Sequence, residues 1–414
     1  MLVFYGSISG RAGSGNAVVP NSRLSPTPFY TDKDNPAVWV ASGAGPYENT
    51  RNALAGIDLS PASGRRVLLK PNAGRVAEPG TGITTHPQVV AAAIDAFREA
   101  GAEVAIGESP ITGVKTREAF ARCGIQEIAE ARDCPLLDMD EGACVQVDIP
   151  SGEAIQRLKV CPEVLEYDIV VSIPVMKMHM HTGVTLAVKN MKGCLWRRSK
   201  VDLHMLPKLP GRESEKSLDI AIADMATVLL PHLSIIDGTI GMEGLGPSAG
   251  SPKAMGVVLA GFDPFAADAV ACALMGISAQ TIPHLCLGAA RGCGVIDLEK
   301  MQVSPETWRD ATVPFVLPPK NLSLEFPNVT ILDNKSCSAC QSSLLLFLKK
   351  YGEQLFDAER DKTPIAIGKG HESLPPGTLC IGNCTARFKE GRPFVPGCPP
   401  VVSQILAVFE EYFR

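Results

Sequence analysis

The sequence lacks a long apolar run, a basic charge balance and a leader-like start. No stretch reaches the roughly 18 apolar residues that suggest a membrane-spanning helix. The opening residues, MLVFYGSISGRAGSG, contain no basic segment followed by a sustained apolar core. The net charge is −5, whereas nucleic-acid-binding domains carry a basic surface. We therefore expect a cytoplasmic protein with no secretory signal, no membrane span and no nucleic-acid partner.

Nucleotide-binding loops are also missing. The turn GMEGLGPSAG, residues 241–250, has four glycines within ten residues. It does not fit GxGxxG followed by a helix, and it does not have P-loop spacing. Two interpretations stay open for this turn, a plain loop or a set of backbone N–H groups presented to an anion. Neither NAD nor ATP is predicted as a cofactor.

Cysteine, by contrast, is abundant. The chain of 414 residues has 13 cysteines, an odd number that is scattered through apparent core segments. That distribution is typical of a reducing cytoplasm and not of a disulfide framework.

Strand and helix patterns alternate through most of the chain. RRVLLKPN (65–72), AEVAIGESP (102–110) and YDIVVSIPVMK (167–177) are predicted strands, and HPQVVAAAIDAFREAG (86–101) is a predicted helix that stops at a glycine. This alternation predicts an α/β fold, a mostly parallel sheet with helices on both faces. Ligand sites in such sheets lie at the carboxyl ends of the strands.

Composition divides the chain into four parts. Residues 1–36 are rich in Gly, Ser, Pro and Asn and are predicted to form an irregular arm. Residues 37–312 form the main α/β domain, and the Pro- and Asn-rich stretch 313–328 is a linker. Residues 329–414 are predicted to form a small α/β domain that carries the last five cysteines.

Four cysteines of this small domain have the spacing of metal ligands. Cys337 and Cys340 form a CxxC before a predicted helix, whose N-terminus favours thiolate. Cys384 ends CIGNC, and Cys398 lies in PGCPP, where a proline follows the cysteine as it does in several iron–sulfur proteins. Zinc usually takes two CxxC knuckles, and the second is missing here. An iron–sulfur cluster is favoured; zinc, and a redox CxxC with unrelated buried thiols, stay open.

The series CSAC, IGNC and VPGCPP resembles the small subunit of nickel–iron hydrogenases and its relatives in respiratory complex I. The resemblance covers about the last 80 residues, with shorter intervals between the motifs. It implies one 4Fe–4S cluster held by Cys337, Cys340, Cys384 and Cys398. Cys380 is then a spare thiol that points into the core or stands near the cluster.

Basic side chains gather in the run VMKMHMHTGVTLAVKNMKG, residues 175–193. Lys177, His179 and His181 are spaced by two, so an extended backbone places them on one face. Lys189 and Lys192 are one helical turn apart. We expect this group to bind a small anionic substrate and to move protons.

The predicted main-domain site has eight members with two roles. The catalytic residues are His179, His181 and Lys189, and the substrate-binding residues are Lys70, Asn72, Lys177, Lys192 and Glu243. One alternative is a metal bound by His179 and His181, with Glu243 or Asp237 completing the site. Another is that each histidine or lysine is a structural or solvated residue.

The segments LLKPN, TTHP, GESP, K-x-H-x-H-x-G, VKNMKG and DPFAADAVACALMGI together resemble the domain of unknown function 362 family, from about Ala37 to Leu298. Members of that family often carry a ferredoxin-like cluster module after the main domain. The resemblance implies no general activity. HMHTGVTLAVKNMKG is also distantly similar to a run of the lactate racemases, which use a nickel-pincer cofactor, and this supports an anionic hydroxy- or keto-acid ligand.

Three functions follow from these residues. The first is an iron–sulfur oxidoreductase of a low-oxygen organism, with a redox partner such as a ferredoxin. The second is a non-redox isomerase or racemase with a structural cluster. The third is a non-enzymatic electron carrier or cluster-bearing assembly protein. Homodimerisation is compatible with each of them.

Overall fold

A computed structural model describes residues 24–318, 326, 329–356 and 362–413. The chain folds into two compact units. The main unit comprises the described residues up to Glu243 together with Ser251–Val316, and the small unit comprises Gly244–Gly250 together with the described residues from Leu317 onward. Much of the predicted arm (1–23) and of the predicted linker (319–325 and 327–328) lies outside the described residues.

The strands of the main unit are β1 (Ala37–Ser42), β2 (Arg66–Pro71), β3 (Glu103–Glu108), β4 (Leu136–Asp138), β5 (Val145–Asp148), β6 (Arg157–Val160), β7 (Ile169–Ile173), β8 (Val175–His179), β9 (Gly183–Thr185), β10 (Leu233–Glu243), β11 (Ser251–Gly261) and β12 (Gln302–Ser304). Its helices are α1 (Pro46–Ala55), α2 (Pro87–Glu99), α3 (Thr116–Arg122), α4 (Ile125–Glu130), α5 (Glu163–Glu166), α6 (Ala187–Asn190), α7 (Ser199–Asp202), α8 (Ser217–Ala226), α9 (Pro264–Leu274) and α10 (Pro283–Ala290).

The main sheet has the order β12-β1-β11-β10-β7-β2-β3-β4, and β8 and β9 extend it beside β10. The run from β10 to β4 is parallel, whereas β11 is antiparallel to both β1 and β10. Successive residues of β2 point to opposite faces, so Leu68 joins one hydrophobic core and Leu69 the other. Helix α9 packs in the first core and α2 in the second. The predicted fold class, a mostly parallel sheet with helices on both faces, is confirmed.

One local prediction for the main unit was wrong. The strand predicted over 167–177 is interrupted at Pro174 and forms β7 and β8. Helices α3 and α4 are separated at Gly124, which adopts a φ of +76°. Strand β10 runs to Glu243 and pairs with β11, a strand absent from the sequence analysis.

The small unit contains a four-stranded parallel sheet in the order β13-β14-β15-β16, formed by β13 (Val329–Asp333), β14 (Thr363–Ile367), β15 (Leu379–Ile381) and β16 (Phe394–Val395). Helices α11 (Ser338–Leu355) and α12 (Val402–Phe413) pack on it through a core that includes Phe347 and Ile405. Helix α11 begins at Ser338, inside the CSAC motif, whereas the sequence analysis placed the motif before the helix. Among the described residues, no helix is long and apolar enough to cross a membrane.

Candidate functional site

A buried ion pair joins the carboxyl ends of β2 and β3. Lys70 Nζ lies 2.9 Å from Glu108 Oε2, and both residues are 1% exposed. The same carboxylate accepts hydrogen bonds from the backbone N–H groups of Ala73 and Ser109, each at 2.9 Å. A Cβ on Gly193 would lie 2.5 Å from Lys70 Nζ, so only glycine lets this chain segment cover the pair. The pair is fully satisfied, which identifies it as the structural base of the site.

Two asparagines extend this base toward β8. Asn190 Oδ1 accepts from Lys70 Nζ at 3.1 Å and from Asn72 Nδ2 at 3.3 Å. Lys177 Nζ donates to Asn72 Oδ1 at 3.2 Å and to the Ile83 carbonyl at 2.8 Å. The predicted residues Lys70, Asn72 and Lys177 are thus connected in one network. Asn190, which links them, lies inside the predicted run but was not selected from the sequence.

A second group of basic side chains has fewer oxygen partners. Lys189 is buried, and its Nζ lies 3.4 Å from Thr185 Oγ1. Lys192 Nζ contacts His204 Nε2 directly. We call Lys177, His179, Lys189, Lys192 and His204 the cationic cluster. His204 was absent from the sequence analysis because it lies on a separate turn, twelve residues after Lys192, with no motif around it.

Burial lowers the pKa of every member of the cationic cluster. The pKa of Lys189 falls to about 7 because its ammonium group is desolvated, and the charge of Asp219 partly opposes the fall. Desolvation also holds the pKa values of Lys177 and Lys192 well below the usual lysine range, and the charge of Lys189 lowers both further. Lys189 therefore exchanges protons near neutral pH.

Both histidines of the cluster are held neutral. Desolvation, followed by the charge of Lys189, keeps the pKa of His179 well below its usual value; desolvation and the charge of Lys192 do the same for His204. The backbone N–H of His181 donates to His179 Nδ1 at 3.1 Å. A neutral His179 ring that accepts at Nδ1 carries its proton on Nε2. The His181 ring lies edge-on to it, with ring centroids 5.6 Å apart.

Two buried carboxylates contact residues around the cluster. Asp268, on α9, is fully buried and accepts from the N–H groups of Ala187 at 2.6 Å and Val188 at 3.1 Å. It therefore fixes the start of α6, the short helix that carries Lys189. Asp219 lies 3.4 Å from His284, and both are almost fully buried. Sequence analysis assigned neither Asp219 nor His284, since both act from helices far along the chain.

Glu243 forms other contacts. Its carboxylate lies 3.4 Å from Lys253 Nζ and accepts the Val316 N–H at 2.9 Å. Asp237 accepts from the N–H groups of His86 and Thr239. Within the described part of the chain, no three His, Cys, Asp or Glu side chains are gathered closely enough to hold a single metal ion.

An open cavity of about 550 Å³ lies beside the start of β10. Its lining includes Ser25, His232, Asp263 and Cys293 and none of the predicted site residues. Both ring nitrogens of His232 are already bonded, to the Val170 N–H and the Ser25 carbonyl. The cavity therefore has no part in the site described above.

In the small unit, the four predicted ligand cysteines influence one another. Cys337 is the N-cap of α11, and a hydrogen bond from the Cys340 thiol lowers its pKa to about 6 against the effect of burial. That hydrogen bond and burial raise the pKa of Cys340, and the charges of Cys337, Cys398 and Cys384 raise it further. The thiols of Cys337 and Cys340 are therefore in direct contact, and the other two cysteines are near enough for their charges to act on Cys340.

Glycine turns shape this region. A Cβ on Gly382 would lie 3.2 Å from Cys340 Sγ, and Gly382 has a φ of +87°. The Asn383 N–H donates to the Gly397 carbonyl at 2.9 Å, which ties the Cys384 turn to the Cys398 turn. The iron–sulfur cluster expected on these four cysteines stays a prediction. Cys380 is fully buried in β15, where its thiol faces the Thr378 carbonyl.

The lowered pKa of Lys189 predicts a pH-dependent stability. An unfolded lysine titrates near 10.5 and this one near 7, so the unfolded chain binds more protons between these values. The cost of burying the charge is largest below pH 7 and disappears as the pH rises through 10.5. We expect the unfolding free energy of the parent, relative to Lys189→Met, to increase from pH 7 to 10 by at most about 1.4 kcal/mol per pH unit. Urea titrations across this range measure it, and parallel pH profiles would contradict it.

The lowered pKa of Cys337 predicts selective alkylation. In metal-free protein, iodoacetamide should modify Cys337 with a midpoint near pH 6, since the thiolate is the reactive form. Cys384 is the internal control, because it is exposed and burial raises its pKa. Peptide mass spectrometry quantifies both sites. A Cys337 midpoint at or above that of Cys384 would contradict the assignment.

Comparison with known proteins gives two kinds of match. A protein of Synechocystis sp., the thylakoid-associated protein sll1697, is 31% identical over 232 residues, which are 56% of this chain and 70% of that protein. The lactate racemase apoprotein from Thermoanaerobacterium thermosaccharolyticum aligns over 94% of this chain and 82% of its own, at 11% identity and a TM-score of 0.39. At that TM-score the likeness supports no argument about this chain.

The family comparison is decisive. The family model described as "Domain of unknown function (DUF362)" matches residues 67–273, which include β2, the whole cationic cluster and α9 up to Ala273. Together with the cyanobacterial relative, this match confirms the family predicted from the sequence. The chain belongs to the domain of unknown function 362 family.

Proposed function

We propose that the main unit binds a small anionic molecule and moves a proton on it, which is the chemistry of an isomerase or racemase. One observation carries this proposal: Lys189 is a buried amine with a pKa of about 7, beside the neutral ring of His179. A general base works best when its pKa lies near the working pH. This is the isomerase alternative of the sequence analysis, preferred here to the oxidoreductase hypothesis.

The contacts of each residue indicate its proposed role. Lys70, Glu108 and Asn190 are satisfied by one another and position the strand ends. Lys177 and Lys192 hold the anionic group of the substrate. The neutral amine of Lys189 takes a proton from carbon as the C–H bond breaks, and the electron pair moves onto the adjacent carbonyl oxygen. His179 Nε2–H donates a hydrogen bond to that oxygen, and Lys189 returns the proton at the same or a neighbouring atom.

The small unit is proposed to hold one 4Fe–4S cluster on Cys337, Cys340, Cys384 and Cys398. The mutual influence of the four thiols and the low pKa of Cys337 support this set. Such a cluster supplies either a fixed local shape or single-electron transfer. Its likeness to the hydrogenase small subunit rests on the sequence motifs alone.

The second candidate is an iron–sulfur oxidoreductase that exchanges electrons with a partner such as a ferredoxin. The arrangement of the four cysteines favours it, since structural stability alone does not need a redox-capable ligand set. The midpoint potential of the reconstituted protein separates the candidates. A cluster reduced within the range of ferredoxins supports the oxidoreductase, and one inert to dithionite supports the isomerase with a structural cluster. An electron carrier would need no Lys189.

Proton exchange at carbon tests the first proposal. The protein is incubated in D₂O with a panel of 2-hydroxy, 2-keto and 2-amino acids, and loss of the C–H signal is followed by proton NMR. The parent should exchange at least one compound, at a rate that rises with pH through about 7 as Lys189 loses its proton. Lys189→Met should lower that rate at least 100-fold, by roughly the contribution of one general base.

Two further variants make this test specific. Asp219→Asn should move the pH profile to lower pH, because the charge of Asp219 raises the pKa of Lys189. Lys159→Met is the matched control, since Lys159 is an exposed lysine of β6. The proposal would be rejected by full exchange in Lys189→Met, or by no exchange with any compound.

Single cysteine substitutions test the cluster ligands. Anaerobically reconstituted parent should contain about four irons and four sulfides per chain. Replacing Cys337, Cys340, Cys384 or Cys398 by alanine should at least halve this content, because one iron loses its fixed ligand. Cys380→Ala is the control, since that thiol is buried in β15. Iron and sulfide analysis gives the result; loss of the cluster in Cys380→Ala with retention in Cys384→Ala would overturn the set.

A further inference from the structure

Three lysines of the cationic cluster form no ion pair with the part of the chain that the structure describes. Among the described residues, no carboxylate lies within ion-pair distance of Lys177, Lys189 or Lys192. Their neighbours do have partners: Lys70 lies 2.9 Å from Glu108, and Lys200 lies 3.7 Å from Asp140. The oxygen atoms that Lys177 and Lys189 do contact belong to neutral groups, an amide, a carbonyl and a hydroxyl.

This arrangement is costly unless something else fills the site. A buried ammonium group without a paired charge costs several kcal/mol, and it loses its proton instead. Folding nevertheless brings these amines together: Lys177 pairs with Thr185 across β8 and β9, Lys189 Nζ lies 3.4 Å from Thr185 Oγ1, and Lys192 follows Lys189 by one turn. A protein that only needed a stable fold would gain by placing apolar side chains here. The three amines are therefore arranged for a ligand.

We propose that the cationic cluster binds a compact dianion, the terminal phosphate of a phosphate ester, and takes up protons from solution as it does so. This inference rests on the proposed function, because it names the class of anion held by the same site. Lysine binds phosphate as a point charge, and a phosphate group presents two charges on three oxygens around one atom. Three amines that influence one another match that concentration of charge better than a single carboxylate does.

Proton uptake follows from the charges that face the three amines. These groups are Lys70 and Glu108 on β2 and β3, His179 on β8, His181 in the following turn, His204 after α7, Asp219 on α8, His284 on α10, Lys200 on α7, and Arg75 after β2. Of the acidic members, Glu108 is paired with Lys70, and Asp219 lies 3.4 Å from His284. An incoming dianion therefore supplies the negative charge that lets Lys177 and Lys192 regain protons.

Calorimetry with sulfate tests the inference without knowledge of the substrate. Sulfate stays a dianion at pH 7.5, so every proton taken up comes from titration of the protein. Binding is measured on the full-length protein in two buffers of different ionisation enthalpy, at constant ionic strength. We expect an uptake of about one proton or more per sulfate, because burial holds the pKa values of Lys177 and Lys192, the two residues that hold the anion, well below the usual lysine range. Acetate should bind at least tenfold more weakly.

Variants tie the uptake to the cluster. Lys189→Met and Lys192→Met should each weaken sulfate binding at least tenfold, and Lys192→Met should also reduce the proton uptake. Lys159→Met should match the parent, and circular dichroism shows whether each variant is folded. Inorganic phosphate and a simple phosphate monoester then distinguish the free ion from the ester, and stronger binding of the ester supports the proposal.

Three results would overturn this inference: sulfate binding no tighter than acetate, binding without proton uptake, or unchanged uptake in a folded Lys192→Met. Its failure is separable from failure of the proposed function. If sulfate does not bind but a monocarboxylate is exchanged at carbon through Lys189, only the phosphate inference is rejected. If neither sulfate binds nor any compound is exchanged, both are rejected.

Discussion

The ion pair between Lys70 and Glu108 ties together the strand ends on which the main-unit site is built. It joins β2 to β3, and its carboxylate also holds the backbone after each strand through Ala73 and Ser109. Removing one partner would leave the other as an uncompensated buried charge, at a cost of about 3–5 kcal/mol. Because Lys70 also bonds Asn190, the same pair fixes α6, and Lys189 with it.

Beyond the pair of Lys70 and Glu108, the lysines of the site have progressively weaker partners. Lys70 has a carboxylate, Lys177 has two neutral oxygens, Lys189 has one hydroxyl at 3.4 Å, and Lys192 contacts a histidine. The compensation that the protein's own groups give to each lysine charge decreases along this series. Where the protein compensates a charge, the residue holds the structure; where it does not, we propose that the residue meets a ligand. This contrast is the reason why Lys70 and the lysines of residues 175–193 are given different roles.

Sequence analysis identified much of this site because its main part is local. Lys177, His179, Lys189 and Lys192 lie within sixteen residues, and a strand followed by a short helix places them at one sheet edge. The alternating strands and helices also predicted that Lys70 ends a neighbouring strand. The part that was missed is distant in sequence, since Asp219 acts on Lys189 from α8, 30 residues along the chain. Glu243 was selected for its place after a strand, but the long hairpin of β10 and β11 pairs it with Lys253.

In the small unit, too, the sequence pattern alone does not distinguish all of the relevant residues. The sequence identified the four cysteines by spacing, yet Cys380 and Cys384 are only four residues apart and spacing alone does not separate them. The strand does: Cys380 lies inside β15 and points into the core, whereas Cys384 follows Gly382, where the chain has already left the sheet. Gly382 matters because its missing side chain lets Cys340 approach, and its positive φ turns the chain toward the Cys398 turn. Glycine and strand length, more than the cysteine pattern, decide which thiols face the common region.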